Sequence, residues 1–204
     1  AKKNFKENTL SAFKYSFKKK YGIETDLQVT KDNQLICFHD FNLRRKFRLN
    51  KKIKDINYSD LRKISNKRKA TVPLLKDLLK ISKNRYPLLL EIKPLLTKLS
   101  LLSLIRLMKK TKKYGIFSFK EKNLINLYKL NKKLTLGLLF LSTSSLRIIK
   151  LKSKKPYVKF LGLEKSYLSN KKLTKIKIPI FYYTAKKKNL FKKYKNSKNL
   201  IFEN

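Results

Sequence analysis

Short apolar runs alternate with amphipathic runs along this chain, and that alternation limits the folds open to it. "PLLLEIK" and "LTLGLLF" are typical of buried strands, whereas "EKNLINLYKL" has helical spacing. Strand–helix alternation predicts βα units around a parallel sheet. Eight strand candidates can be counted: "GIETDLQV", "QLICFH", "PLLLEIK", "GIFSF", "LTLGLLF", "VKFLGL", "IPIFYY" and "NLIFEN".

The length of the chain narrows the fold class further. At 204 residues it fits one domain, which we expect to cover residues 1–204. Eight strands in a chain of this size favour a (β/α)8 TIM barrel over an open doubly wound sheet. The chain has four glycines, and their spacing matches neither the dinucleotide-binding motif nor the P-loop motif. The commonest nucleotide-binding functions are therefore excluded.

The formal net charge of +42 allows two interpretations. One is a protein that binds nucleic acid or an anionic membrane surface. The other is background composition, favoured here because Lys outnumbers Arg 46 to 8 and the basic residues are spread evenly. A dedicated nucleic-acid binder more often clusters its charge and uses Arg. We expect weak binding to polyanions and no specific nucleic-acid partner.

The compartment is predicted from the cysteine content and from the apolar runs. Cys37 is the only cysteine, which favours a reducing, cytoplasmic location. No apolar run is long enough to cross a bilayer, and "AKKNFKENTL" lacks the apolar stretch of a secretory signal. The sequence therefore predicts a protein that is not transmembrane.

Scarce acidic residues lie inside the apolar segments. The chain has 12 acidic residues, and two of them, Glu24 and Asp26, are spaced i, i+2, so that in a strand they share one face. Glu91 and Lys93 have the same spacing at the end of "PLLLEIK". Catalytic groups of a (β/α)8 barrel lie at the carboxyl ends of its strands, where these carboxylates would repel one another. A divalent cation relieves that repulsion, and oxygen ligands favour Mg²⁺ or Ca²⁺.

His39 and Lys93 complete the candidate site. His39, the single histidine, follows the strand "QLICFH" and suits general acid–base chemistry. Lys93 suits an anionic oxygen of a substrate. Each feature also has a plainer interpretation: a solvated edge strand, a structural histidine and an ordinary ion pair. Their combination at three strand ends favours a site.

Five segments in order resemble the glycerophosphodiester phosphodiesterase family: "ENT..AF", "IETDLQVTKDNQLICFHD", "VPLLKDLL", "LLLEIK" and "FSF". The resemblance implies a (β/α)8 barrel that uses a divalent metal to hydrolyse glycerophosphodiesters to sn-glycerol 3-phosphate and an alcohol. The glycerol 2-hydroxyl is the implied nucleophile, through a cyclic phosphate that water opens. Two histidines exchange the roles of acid and base.

The resemblance also assigns roles to individual residues. Glu24 and Asp26 match the metal-binding Glu-x-Asp pair, and Glu91 matches a third metal ligand. His39 matches one of the two catalytic histidines. Two positions are expected to bind substrate: Lys93, which matches a position facing the phosphate, and Glu7, which belongs to the Glu-Asn-Thr element beside the site.

The chain departs from the family pattern at its beginning. The family's first strand ends in His-Arg-Gly shortly before Glu-Asn-Thr, and here "AKKNFK" precedes that element. Two explanations are open, an N-terminally truncated chain and a degenerate family member. We expect truncation: a barrel that lacks its first strand, with little or no activity because one histidine is missing.

Two other functions remain as alternatives at this stage. One is a basic nucleic-acid- or membrane-binding protein built on a degenerate barrel, which gives no reason for the carboxylates to lie at strand ends. The other is a phospholipase of the sphingomyelinase D type. The lack of cysteine pairs and of a secretion signal argues against this second alternative.

Overall fold

A computed structural model describes residues 6–186 and 188–203 of the chain. The chain divides into two compact units, Ala1–Gly115 and Ile116–Asn204. The predicted single domain over residues 1–204 stays a prediction. Within the described residues, no helix combines the length and the apolar character needed to cross a membrane.

The first unit begins with a helix and a hairpin. Thr9 caps the first helix by accepting a hydrogen bond from the backbone N–H of Ala12, as Ser and Thr commonly do. The elements of this unit are α1 (Leu10–Lys18), β1 (Ile23–Val29), β2 (Leu35–Cys37), α2 (Arg44–Phe47), α3 (Tyr58–Lys67), α4 (Leu75–Ser82), β3 (Leu88–Ile92) and α5 (Lys98–Met108).

Strand β2 is antiparallel to β1, which corrects the prediction of a purely parallel sheet. Leu27 pairs with Cys37 and Val29 with Leu35, so the two strands form a hairpin. Strand β3 lies parallel to β1, with Asp26 opposite Glu91. The described residues contain eight strands, as predicted. The difference concerns the direction of β2, because a short apolar run has the same residue pattern in a parallel strand and in an antiparallel one.

An apolar cluster supports the loop that follows β2. Leu43 and Phe47 are fully buried in it, together with Ile36, Phe38 and Ile53. Leu43 and Phe47 are four residues apart, so they share the inner face of α2 and leave the arginines between them exposed. Burial of side chains of this size stabilises the fold by roughly 1.5–3 kcal/mol each. The loop and helix that carry His39 and Arg45 are thereby held in place.

The second unit consists of parallel strands separated by helices. Strands β4 to β8 pair in chain order, each parallel to the next. All five residues of β5 are buried, and Gly137 leaves room there for the ring of Phe160. The elements are β4 (Tyr114–Ser118), α6 (Glu121–Leu130), β5 (Leu136–Phe140), α7 (Leu146–Ser153), β6 (Phe160–Glu164), β7 (Ile180–Ala185), α8 (Lys188–Tyr194) and β8 (Asn199–Phe202).

Candidate active site

Three carboxylates of β1 and β3 lie close together. Glu24 and Asp26 project from one face of β1, and the register places Glu91 of β3 beside Asp26. One oxygen from each of the three side chains lies within 4.8 Å of the others. Among the described residues this is the group whose donors could hold a metal ion. Three hard oxygen ligands of this kind fit Mg²⁺ or Ca²⁺.

The ammonium group of Lys93 lies between two of these carboxylates. Its Nζ is 3.4 Å from Asp26 Oδ1 and 3.2 Å from Glu91 Oε1. Burial raises the pKa of Glu91; Lys93 offsets part of that effect and Asp26 adds to it, so that the net shift is upward. For Lys93, burial acts to lower the pKa, but the two carboxylates outweigh it and the pKa is raised. Both groups of the cluster therefore retain protons more strongly than usual. A bound cation would likewise supply positive charge to the carboxylates.

His39 lies two residues beyond β2, beside this cluster. Its Nδ1 is 2.7 Å from Asp40 Oδ1, and about half of its side chain is exposed. The backbone N–H of Phe38 donates to the carbonyl of Asp26 at 2.9 Å, which ties this loop to β1. A cavity of about 590 Å³ opens here, with His39 and Lys93 both in its wall. A small substrate could thus reach the histidine and the lysine together.

Asp40 joins His39 to Arg45 and Glu7. Arg45 donates to Asp40 through Nε at 2.7 Å and through Nη2 at 3.1 Å. The same Nη2 donates to Glu7 Oε1, and Lys46 Nζ donates to the carbonyl oxygen of Glu7 at 2.6 Å. A chain of charged hydrogen bonds therefore runs from Glu7 to the imidazole ring. The sequence alone gave Asp40 and Arg45 no role.

Comparison with known proteins decides the family. The model of the "Glycerophosphoryl diester phosphodiesterase family" matches residues 1–198. The chain belongs to this family. The resemblance seen in the sequence is thereby confirmed.

One curated relative of this family member is a glycerophosphodiester phosphodiesterase of Bacillus altitudinis, 31% identical over 99 residues. That match covers 45% of the present chain and 40% of the relative, so it spans less than half the length of either protein. The similarity in sequence to this enzyme is therefore partial.

Solved structures of the family match over much more of the chain. The glycerophosphodiester phosphodiesterase of Thermotoga maritima has a TM-score of 0.83 at 21% identity, covering 97% of this chain and 88% of that one. An Oleispira antarctica phosphodiesterase, solved with the product sn-glycerol 3-phosphate, has a TM-score of 0.81 at 19% identity, covering 96% and 86%. The predicted α/β fold of the TIM-barrel type is confirmed.

Asn8 of this family member is a third side chain to which the sequence assigned no role in the site. Its Nδ2 donates to Asp26 Oδ2 at 3.3 Å, and its Oδ1 accepts from the hydroxyl of Thr25 at 2.6 Å. Asn8 has a φ of 52°, in the left-handed region that Asn tolerates better than most residues. The Glu-Asn-Thr element thus holds a carboxylate of the cluster from the side. Its position just before a helix cap was the available signal.

The predicted site residues therefore come together in one unit. Glu24, Asp26 and Glu91 form the acidic cluster and Lys93 contacts two of them, while Glu7 bonds to Arg45. Cys37, at the end of β2, is fully buried, and burial raises the pKa of its thiol to about 12. That thiol stays protonated and packs as an apolar group.

A second cavity lies in the other unit, where β7 and β8 begin. It measures about 400 Å³, and Lys195 and Lys198 are the charged residues in its wall. No carboxylate or imidazole lines it. It therefore lacks the groups that hydrolysis of a phosphodiester requires, and the acidic cluster in the first unit is the better candidate.

Proposed function

We propose that this protein hydrolyses glycerophosphodiesters to sn-glycerol 3-phosphate and an alcohol, with the help of a divalent cation. The observation that carries the proposal is the acidic cluster of Glu24, Asp26 and Glu91 beside His39, in a chain that belongs to this family. The product found with the Oleispira antarctica phosphodiesterase, sn-glycerol 3-phosphate, agrees with it.

Glu24, Asp26 and Glu91 would hold the cation, which is Mg²⁺ or Ca²⁺. The donor set fits because all three residues offer carboxylate oxygens within 4.8 Å of one another. When bound, the cation supplies charge that stabilises the phosphate oxygens during the reaction. Asn8 keeps Asp26 in position from the other side of its carboxylate.

Lys93 would bind the phosphate from the wall of the cavity. In the present structure its ammonium group lies between Asp26 and Glu91 and offsets part of their negative charge. Its side chain already lines the cavity together with His39. The positive charge stabilises an anionic phosphoryl group.

His39 would transfer the proton at this site. Its ring lines the same cavity as Lys93. The glycerol 2-hydroxyl attacks phosphorus and gives its proton to a base, and an acid protonates the leaving alcohol. Water then opens the resulting cyclic phosphate to give sn-glycerol 3-phosphate. A single histidine serves one of these two roles at a time. The printed residues contain one histidine, so we propose that they give little turnover by themselves.

The activity is tested by the release of sn-glycerol 3-phosphate from glycerophosphocholine with Mg²⁺ or Ca²⁺. The 204-residue chain is compared with a version extended by a segment carrying His-Arg-Gly. We expect turnover from the extended version and little from the shorter one. Robust turnover by the shorter chain contradicts the need for a second histidine, and no turnover by either contradicts the enzymatic proposal.

Glu24→Gln in the extended version tests whether the cluster is the cation site. Turnover should fall to the level measured without cation, because one of three anionic ligands is lost. Glu121→Gln is a matched control, since Glu121 is a carboxylate paired with Lys152 in the second unit. Equal activity of Glu24→Gln and the parent protein would show that the cation binds elsewhere.

Two broader predictions remain proposals. The protein is proposed to be cytoplasmic, which fractionation of the native source would test.

Weak binding to polyanions is proposed from the charge of +42. Titration with heparin at several salt concentrations should show an affinity that falls steeply with salt. Binding that is insensitive to salt contradicts an electrostatic origin.

A further inference from the structure

The side chain of Asp40 determines which ring nitrogen of His39 carries the proton. An ionised carboxylate only accepts hydrogen bonds, and Asp40 Oδ1 lies 2.7 Å from Nδ1 of the ring. Nδ1 is therefore the nitrogen that carries hydrogen when the ring is neutral. Nε2 is left with its lone pair free to accept a proton.

Arg45 keeps Asp40 ionised and in place. Its guanidinium group donates two hydrogen bonds to the carboxylate, at 2.7 Å and 3.1 Å, and never loses its charge. Burial acts to raise the pKa of Asp40, but the hydrogen bonds from Arg45 and His39 outweigh it and the pKa is lowered. The planar guanidinium also fixes the plane of the carboxylate.

Glu7 in turn holds Arg45. Nη2 of Arg45 donates to the carboxylate of Glu7, and Lys46 anchors the backbone of Glu7 through its carbonyl oxygen. Arg45 and Glu7 are 38 positions apart in the chain, so this ion pair joins the segment before α1 to helix α2. Nη2 of Arg45 therefore donates to both Asp40 and Glu7, while Nε donates to Asp40.

The backbone of the His39–Asp40 turn is anchored separately. Nε2 of Gln28, a buried residue of β1, donates to the carbonyl oxygen of Asp40 at 3.1 Å and to that of His39 at 3.4 Å. Gln28 has the same orientation in β1 as Glu24 and Asp26. The strand that supplies two carboxylates of the cluster thus also positions the histidine loop.

We propose that Arg45, held by Glu7, orients Asp40 so that His39 keeps its proton on Nδ1 and exchanges protons through Nε2. Asp40, Arg45 and Glu7 are then positioning residues, and His39 alone of the four exchanges a proton with substrate. This inference rests on the proposed function for its catalytic meaning. The tautomer itself is a property of the chain that can be measured without any turnover.

The test uses the fact that the chain has one histidine. In protein labelled with ¹⁵N-histidine, every imidazole signal belongs to His39. Two-bond ¹H–¹⁵N spectra distinguish the Nδ1–H tautomer from the Nε2–H tautomer at a pH where titration shows the ring to be neutral. We expect the Nδ1–H pattern. A predominant Nε2–H pattern in the unaltered protein overturns the proposal.

Asp40→Asn should reverse the tautomer. Arg45 donates to Oδ2 at 2.7 Å and to Oδ1 at 3.1 Å, and the shorter bond should hold the amide oxygen at the Oδ2 position, so that the NH₂ group faces Nδ1. Nδ1 must then accept, and the proton moves to Nε2. In the double variant Asp40→Asn with Arg45→Met, the amide is free to turn, and part of the Nδ1–H signal should return. An unchanged tautomer in Asp40→Asn contradicts the proposal.

Arg45→Met and Arg44→Met form a matched pair. Arg45→Met should give a mixture of tautomers, because Asp40 is no longer fixed, and Arg45→Lys should restore the Nδ1–H pattern only in part. Arg44 is the exposed neighbouring residue, and none of the hydrogen bonds that hold Asp40 comes from it. Arg44→Met should therefore leave the spectrum unchanged. Equal effects of the two variants would show that Arg45 has no specific role.

Two controls separate this inference from the proposed function. Far-UV circular dichroism of each variant verifies that it is folded before its spectrum is interpreted. If the Nδ1–H tautomer is found while the extended version releases no sn-glycerol 3-phosphate, the enzymatic proposal fails and the orientation of the ring stands. If turnover is found with the Nε2–H tautomer, the enzymatic proposal stands and the proposed orientation of the ring fails.

Discussion

Strands β3 and β5 have the same length and different constructions. In β3, buried leucines alternate with partly exposed residues, and one face carries Glu91. In β5, all five residues are buried and apolar, and Gly137 is present because a ring occupies the space beside it. Strand β3 therefore has one apolar face and one face that presents a charged side chain, whereas β5 packs through both faces. The comparison indicates that changes in β3 should affect ligand binding, and changes in β5 should affect stability.

The largest expected effect is the loss of cation binding in Glu91→Gln. Removing one of three anionic ligands should lower the affinity for Mg²⁺ or Ca²⁺. The decrease should exceed the ~10–100-fold that is typical of changes around a metal site. Isothermal titration calorimetry measures it. Glu121→Gln, outside the cluster, should bind the cation as the unaltered protein does. An unchanged dissociation constant in Glu91→Gln would remove β3 from the site.

Gly137→Ala tests the opposite side of the comparison. A Cβ at this position overlaps the ring of Phe160, which is buried and packed against Phe117 and Phe181. The free energy of unfolding should fall by about 1–3 kcal/mol, and cation affinity should not change. Urea denaturation measures the first quantity. Thr135→Ala, at an exposed position just before β5, should change it by less than about 0.5 kcal/mol.

Lys93→Met should link stability to the cation more strongly. Without the ammonium group, Asp26 and Glu91 repel each other. The free energy of unfolding of the cation-free protein should therefore fall by about 1–2 kcal/mol, a value already reduced because the groups are partly exposed. The rise in melting temperature on adding Ca²⁺ should exceed that of the unaltered protein, because no lysine competes for the carboxylates. A smaller rise would mean that Lys93 supports the cation instead of competing with it.

The effect of Cys37 is the smallest at neutral pH, and it grows as the pH rises. Its pKa is raised to about 12 in the folded protein, whereas an unfolded cysteine has a pKa of about 8.5. The unfolded state therefore loses its proton first as the pH rises, and stability falls between these two values. Denaturation at pH 8 and at pH 11 should show a smaller loss for Cys37→Ala than for the unaltered protein. Equal losses would mean that burial does not perturb this thiol.

The sequence predicted the strands of the first unit well because their polar residues repeat with a period of two. Glu24 and Asp26 share a face, and Glu91 lies on the exposed side of β3, both as the alternation indicates. Periodicity does not report strand direction, so the general expectation of a parallel sheet does not hold for β2, which is antiparallel to β1. The short connection "TKDN" favours this hairpin, since a parallel crossover needs a dozen or more residues.

The network around Asp40 could not be predicted from the pattern. Arg45 reaches Asp40 from helix α2, and Glu7 reaches Arg45 from a segment 38 positions away. Such contacts depend on how α2 packs through Leu43 and Phe47, and no periodic spacing reports that packing. The family resemblance identified Glu7 and His39, but the hydrogen bonds that connect them come from the structure.

The β1–β2 hairpin affects the order in which the site can assemble. Asp26 and His39 are 13 positions apart and are brought together by a local hairpin, a structure that forms in about 1–10 μs. Glu91 arrives only when β3 pairs with β1 across more than 60 positions, and such distant contacts form slowly. A cation that needs all three carboxylates has little affinity for the early hairpin. We therefore expect Ca²⁺ to slow unfolding and leave the folding rate nearly unchanged, which stopped-flow measurements with and without the ion would show.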